Sequence, residues 1–423
     1  MLEKMKKAEN GIPVFSLINN HVHSFFISMF VKSGSMYEGD SECGITHFLE
    51  HTAIRNINKI MDGKLYEALD RYGLDFNAST YCEMVQFYIS GNDTCFAEAA
   101  RIISKLLEPI ELTRADLDAE RQRIKAEIRE VNDKSSLAYF TSQAVFGDTS
   151  LARPITGTLG SVSAITGRKL EEYRRRTFTR DNIFFYVTGN VSDADIDMLA
   201  KLIGSYSLGE GEAHINLAPV PRNFGKREPV LHIKNADFTK IRYTFDVDMS
   251  RVGCAELDLL YELMLGGYSS EFFIELSEKR GLFYDLGGAV ERYRNICTFS
   301  FSYELREADL YEAAEMTMQL LDSYREKLQD RERCMHSGYV DNAYMLLDDS
   351  RDLNFTFGYD NHILELGYSG IEDRKRAYAS ITPEKIREVA REIFRPENMT
   401  VTLKGNKKKI DTDKITKILF ERG

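Results

Sequence analysis

The chain has 423 residues, more than one hydrophobic core holds, so two domains of about 200 residues each are expected. Its formal net charge of −11 at pH 7 argues against general nucleic-acid binding and for good solubility. No apolar run reaches the roughly 18 residues of a spanning helix, and MLEKMKKAENG lacks the apolar stretch of a signal peptide, so no membrane contact and a cytoplasmic location are expected. Cys43, Cys82, Cys95, Cys254, Cys297 and Cys334 show no C-x-x-C spacing and read as reduced thiols.

Residues 12–17 (IPVFSL) and 24–32 (SFFISMFVK) predict two paired strands, rich in β-branched and aromatic residues. A helix is expected from near Gly44 to about Asn56, and it carries His47-Phe48-Leu49-Glu50-His51. Positions i, i+3 and i+4 share one helix face, so both imidazoles and the carboxylate point the same way. Two such histidines can grip a metal ion, with the glutamate placed to reach the attacking water. A buried histidine pair satisfied by backbone carbonyls fits the same five residues. A second helix runs from Lys64 to Tyr72 and stops at Gly73. Val85, Phe87 and Ile89 alternate with Met84, Gln86 and Tyr88 and predict a strand. Asp93 or Thr94 is expected to cap the following helix, whose apolar stripe is Phe96, Ala100, Ile103 and Leu107.

Thr113 and Asp116 form a capping-box pattern opening a helix to about Val131, with Leu117, Ile124, Ile128 and Val131 as its apolar stripe. Glu120 and Glu127 lie two turns apart inside that stripe. A carboxylate in a core face costs several kcal/mol unless paired or metal-bound. Either the helix lies at a surface with both glutamates solvated, or its face looks at the two histidines and one glutamate completes a His₂Glu site. Further on, a helix over Leu170–Phe178, a strand over Ile183–Asn190 and an amphipathic helix over Asp193–Tyr206 follow. Residues 208–228, with glycines at 209, 211 and 225 and prolines at 219 and 221, read as a linker.

The second half repeats the first. RRTFTRDNIFFYVTGN answers REIFRPENMTVTLKGN at an offset of 216 (394 against 178, 405 against 189). MVQFYISGNDTCFAEAARIISKLL likewise answers ICTFSFSYELREADLYEAAEMTMQLL. The expected architecture is α+β: two homologous domains, each a mainly antiparallel β-sheet with helices packed on one face. The boundaries are 1–207, linker 208–228, and 229–423. The offset carries His47 onto Leu263 and His51 onto Gly267, so the second copy has no such metal site.

Gly44 to His51 (G-x-x-H-F-L-E-H), Asn77 to Thr80 (N-A-x-T) and Glu120 to Ile128 (E-x-x-x-x-x-x-E-I) together resemble the pitrilysin family of zinc metallopeptidases, in its short-chain branch that includes the mitochondrial processing peptidase. Glu127 stands 76 residues past the second histidine (127 against 51), as in that family. The resemblance covers essentially the whole chain. It implies that His47, His51 and Glu127 bind Zn²⁺, that Glu50 is the general base, and that Glu120 orients the ligand shell. It implies further that the strand of Asn77, Ala78 and Ser79 is an edge to which extended peptide substrate adds. The family also brings an arginine and a tyrosine from a C-terminal domain to the substrate. Tyr284 matches the tyrosine, while Ser277 stands where the arginine is usual, with Arg280 nearby. Members of this length work as two-chain clamshells. The missing arginine favours a heterodimer with a second such subunit over a homodimer. The implied activity is that of a zinc endopeptidase on short extended or leader peptides; the alternative is a catalytically silent scaffold subunit of a peptidase heterodimer.

Overall fold

The apolar runs of the first half become six strands: β1 (Lys4–Lys7), β2 (Pro13–Ile18), β3 (Ser24–Val31), β4 (Asp75–Thr80), β5 (Val85–Asn92) and β6 (Ile183–Gly189). The structure, a computed structural model, describes residues 1–131, 136–147, 149–210, 230–266, 269–326 and 338–421. The strand order is β1-β2-β6-β3-β5-β4. β2 and β3, expected as partners, are therefore not neighbours. β6 lies between them, parallel to β2 and antiparallel to β3. All of its residues are buried, and such a run is most stable in mid-sheet, where both faces and both edges are covered.

One face of this sheet carries α1 (Ile45–Ile60), α2 (Leu65–Tyr72), α3 (Phe96–Ser104) and α4 (Arg114–Val131), and, later in the chain, α6 (Leu159–Ala164), α7 (Gly167–Thr177) and α8 (Asp193–Gly204). Phe25, Ile27, Phe87 and Ile89 of the strands pack there with Phe48, Ile103, Ile124, Tyr173 and Leu199. Each fully buried side chain of this size contributes about 1.5–3 kcal/mol. The cap of the helical segment after β5 is Asn92, whose side chain accepts from the Thr94 N–H, in place of the expected Asp93 or Thr94. The capping box is present, with Thr113 and Asp116 bonding reciprocally at the start of α4. Gly44 turns the chain into α1 at φ +87°, and a Cβ there would meet Gly157 Cα at 2.7 Å, so only glycine fits. The Glu38 carboxylate accepts from the Gly44 and Thr46 N–H groups at 2.8 and 2.9 Å, satisfying donors that the first turn of α1 leaves free.

The opposite face of the same sheet is also covered. Leu17, Phe30, Met84, Phe184 and Tyr186 pack on Leu353 and Phe357 of the helix Ser350–His362. Asn354 of that helix donates to the Phe26 and Tyr186 carbonyls and accepts from the Ser28 hydroxyl.

The second sheet comprises β7 (Val230–Asn235), β8 (Thr239–Asp248), β9 (Phe283–Arg292), β10 (Ile296–Leu305) and β11 (Met399–Gly405), in the order β7-β11-β8-β10-β9. This repeats β2-β6-β3-β5-β4 strand for strand, including the single parallel pair. Tyr243, Phe245, Phe299 and Phe301 pack against α9 (Cys254–Tyr261), α10 (Leu310–Glu326) and the helices Pro383–Ile393 and Thr412–Phe420. α5 (Leu137–Phe146) lies on β8 and β11, with the Thr141 and Thr402 hydroxyls 2.6 Å apart.

The two units are therefore not contiguous stretches. The first comprises Met1–Asp133, Arg153–Asn216 and Tyr344–Arg374; the second comprises Lys134–Ala152, Leu217–Ala343 and Lys375–Gly423. Each half lends one helical excursion to the other's sheet. Periodicity reports which face of a helix is apolar but not which sheet receives it, so the excursions have no signature in the sequence. Most of the expected linker, from residue 211 onward, lies outside the described residues. Among the described residues no helix is long and apolar enough to cross a membrane.

Candidate metal centre

α1 and α4 run antiparallel and face one another with complementary side chains. His47, His51 and Arg55 succeed one another at i, i+4 and i+8 on α1, facing Glu127, Glu120 and Asp116 on α4. His47 Nε2 lies 3.5 Å from Glu127 Oε1, and His51 Nε2 lies 3.5 Å from Glu127 Oε2. The other nitrogen of His51, Nδ1, meets Glu120 Oε2 at 3.3 Å. Among the described residues, His47, His51 and Glu127 form a group able to hold a metal ion, with ligand atoms all within 4.8 Å of one another.

The donor set suits zinc. Ligands about 2.0–2.1 Å from a tetrahedral ion stand about 3.3 Å apart, close to the 3.5 Å between each imidazole and the Glu127 carboxylate. His47 is 7% exposed, and burial, with the neighbouring His51 ring, pushes its pKa down to about 3. It is therefore a neutral imidazole at physiological pH, with a lone pair free for a metal. His47 Nδ1 is buried with no hydrogen-bond partner among the described residues. The Glu120 carboxylate accepts from His51 Nδ1, which leaves the lone pair of that ring on Nε2, toward Glu127.

Glu50, 8% exposed, accepts a hydrogen bond from the Thr80 hydroxyl. Burial raises its pKa above the usual carboxylate value, against the lowering effects of Thr80 and His51. Glu120 is buried too, but the hydrogen bonds of His51 and Arg55 outweigh burial and hold its pKa low. The helix face carrying Glu120 and Glu127 thus looks at the histidines.

Asn77, Ala78 and Ser79 lie on β4, the outermost strand, which among the described residues pairs only with β5 and leaves its other edge free. Thr80, at the end of this strand, joins the edge to Glu50. Tyr284 lies on β9 of the second unit, and its side chain is outside the described residues. Ser277 donates to the Phe283 carbonyl at 3.1 Å, and Arg280 pairs with Glu312 at 2.8 Å. Of the remaining histidines, His362 stacks on Phe15 with ring centroids 3.6 Å apart, His232 meets the edge of Phe140, and His214 and His336 lie outside the described residues.

Three residues of the site escaped the sequence reading: Thr80 as the partner of Glu50, and Arg55 and Asp116 beside Glu120. The last two had a signal. Arg55 lies one turn past His51, and Asp116 lies one turn before Glu120, on the faces already assigned to the site.

A duplicated α+β fold bearing two histidines and a glutamate on facing helices of its first copy defines a class of metal-site protein. Residues 14–159 match the family described as Insulinase (Peptidase family M16), and residues 164–333 match the Peptidase M16 inactive domain. The chain belongs to peptidase family M16. A protein of Mycobacterium tuberculosis named as an uncharacterized zinc protease is 25% identical over 397 residues, covering 91% of this chain and 89% of its own. The crystal structure of a protease from Helicobacter pylori superposes with a TM-score of 0.83 at 18% identity, over 96% of this chain and 100% of that one. The periplasmic protease PqqL from Escherichia coli superposes with a TM-score of 0.81 at 18% identity, over 99% of this chain but 50% of that one. These two structural likenesses concern the fold.

Proposed function

We propose that this chain is a zinc-dependent endopeptidase that hydrolyses short extended or leader peptides in a chamber completed by a second subunit of the same family. The observation that carries this reading is the meeting of His47, His51 and Glu127 beside a buried Glu50 that touches the free-edged strand β4. His47, His51 and Glu127 hold the ion, and Glu120 fixes the ring of His51. Bound zinc supplies the Lewis acidity that polarises a peptide carbonyl and eases loss of a proton from the attacking water. Glu50 takes that proton and delivers it to the leaving amine. Burial, which raises its pKa, favours its holding that proton before the return.

The peptide adds as a strand to β4 along Asn77, Ala78 and Ser79, pairing main chain with main chain and so reading sequence weakly. By the family resemblance, Tyr284 of the C-terminal copy is a substrate-binding residue. The half-length match to PqqL supports a chamber built from two chains of this size. Ser277 in the arginine position, with Arg280 engaged by Glu312, favours a partner that supplies the arginine, hence a heterodimer. The same serine favours the second reading, a silent scaffold subunit. Cytoplasm is the proposed location.

Native mass spectrometry with and without a chelator, joined to peptide turnover, tests this reading. One zinc per chain, lost with the chelator, together with cleavage that Glu50→Gln abolishes, is the expected result. Zinc binding without cleavage, alone or after co-purification of a partner, would leave the scaffold reading. Absence of zinc after reconstitution overturns the peptidase reading.

A further inference from the structure

The His51 ring is held at Nδ1 by Glu120, and the chain of contacts does not end there. Glu120 Oε1 accepts from Arg55 Nη1 at 2.9 Å. The same guanidinium, through Nε and Nη2, reaches Asp116 Oδ1 at 3.2 and 3.1 Å. The second oxygen of Asp116 accepts from the Thr113 N–H and hydroxyl at 3.0 and 2.6 Å. A continuous line of hydrogen bonds thus runs from the capped start of α4, across to α1, back to Glu120 and on to His51. Nothing comparable reaches His47, whose Nδ1 has no partner among the described residues.

We propose that Arg55, anchored by Asp116, is a positioning residue for the metal centre: it holds Glu120 in the orientation that aims His51 Nε2 at the ion. The inference rests on the zinc reading above and extends it to two residues outside the ligand set. The physical argument is one of charge and geometry. Glu120 is 4% exposed, and an anion so buried needs a cation or several donors. The imidazole N–H alone is one donor at 3.3 Å; the guanidinium supplies the countercharge and pins the other oxygen. Because Arg55 is gripped at Nη1 by one acid and at Nε and Nη2 by another, its plane is set, and so is the carboxylate it faces. A lysine keeps the charge but cannot grip both acids in this fork. Without the cation, Glu120 is left uncompensated and free to rotate from Nδ1, and the His51 ring loses its aim.

The test uses the full chain and three variants, Arg55→Met, Arg55→Lys and Asp116→Asn. Zinc affinity is read by competition with a chromogenic chelator, and ligand geometry by the visible d–d bands of the cobalt-loaded chain. Arg55→Met should weaken zinc binding about 10–100-fold, the range typical for outer-shell partners, and shift the cobalt spectrum. The zinc-free Arg55→Met chain should also lose thermal stability, because Glu120 is left uncompensated, so affinities are compared at a temperature where every variant is folded. Arg55→Lys should recover part of the affinity, and Asp116→Asn should fall between wild type and Arg55→Met. If Arg55→Met and Asp116→Asn bind zinc as tightly as wild type with unchanged cobalt bands, Arg55 is only a staple between helices and the inference is overturned. If Arg55→Met does not fold, unchanged affinity in Asp116→Asn and Arg55→Lys overturns it equally. A wild-type chain that takes up no zinc overturns the zinc reading and this inference with it, so the two failures are distinguishable.

Discussion

Five strands of each sheet share order and direction, with β11 standing 216 residues past β6 (399 against 183), yet among the described residues only the first copy carries a group able to hold a metal ion. Counted from the glycines that cap them, Gly44 and Gly253, α1 and α9 set His47 and His51 against Glu256 and the fully buried Leu260. There α9 ends at Tyr261 and passes into a π-helical turn over Glu262–Gly266, where α1 runs on unbroken to Ile60. The duplicated scaffold therefore does not need two histidines at this place. The sharpest way to separate chemistry from scaffold is Glu50→Gln. The loss of turnover is expected at about 10²–10⁴-fold, with zinc retained and the thermal midpoint unchanged. A parallel loss of zinc or of folding would mean that Glu50 serves the scaffold.

Beyond the metal-bearing face, the copies differ in what covers the other side. In the first, Phe30, Phe184 and Tyr186 meet Leu353 and Phe357. In the second, β8, β10 and β11 turn Thr244, Asp246, Thr298, Ser300, Thr400 and Thr402 that way, all of them buried. Phe357→Ala, at a side chain with no exposure, should cost about 3–5 kcal/mol in denaturant unfolding. Leu263→Ala in the other core should cost about 2–5 kcal/mol and leave zinc binding untouched. His47→Leu should abolish zinc binding without lowering the stability of the zinc-free chain.

That last variant also carries a pH signature. In the zinc-free chain the folded-state pKa of His47, about 3, lies below its unfolded value near 6.5. The unfolded state takes up the proton first. The contribution of His47 to stability is thus complete above pH 6.5 and is lost as pH falls toward 3. Thermal midpoints of the chelated protein should drop more steeply across this window in wild type than in His47→Leu. Equal slopes would mean that the ring is solvated.

Much of the site was legible because its chemistry follows helix geometry. His47, Glu50 and His51 share a face by spacing alone, and Glu120 and Glu127 stand out as charges within an apolar stripe. The duplication was legible because β6 and β11 keep the same length, flanked by the same Gly-Asn. Partnership across distance was not. Nothing in residues 13–18 or 24–31 announces that β6 will part them, and nothing in residues 137–146 or 350–362 tells which sheet they cover. These are choices among apolar faces of equal pattern, settled by the whole chain at once. Thr80 escaped for a related reason, since its hydroxyl meets Glu50 only when the end of β4 is laid beside α1.

The smallest expected effect concerns the polar cover of the second sheet. Thr141 on α5 and Thr402 on β11 are 5% and 0% exposed, with their hydroxyls 2.6 Å apart. Thr402→Val keeps the shape but strands the Thr141 hydroxyl away from water, a loss of about 1–3 kcal/mol. Thr141→Val does the reverse. The double variant removes both polar atoms and leaves two methyl groups in contact, so it should return close to wild-type stability. A double-mutant cycle by urea unfolding measures this, and the coupling should be opposite in sign to simple addition of the two losses. Additive losses would mean that each hydroxyl is served by water, in which case α5 rests on a hydrated face. Recovery in the double variant would mean that the second copy joins its borrowed helix through a dry polar contact, where the first copy uses aromatic packing for the same purpose.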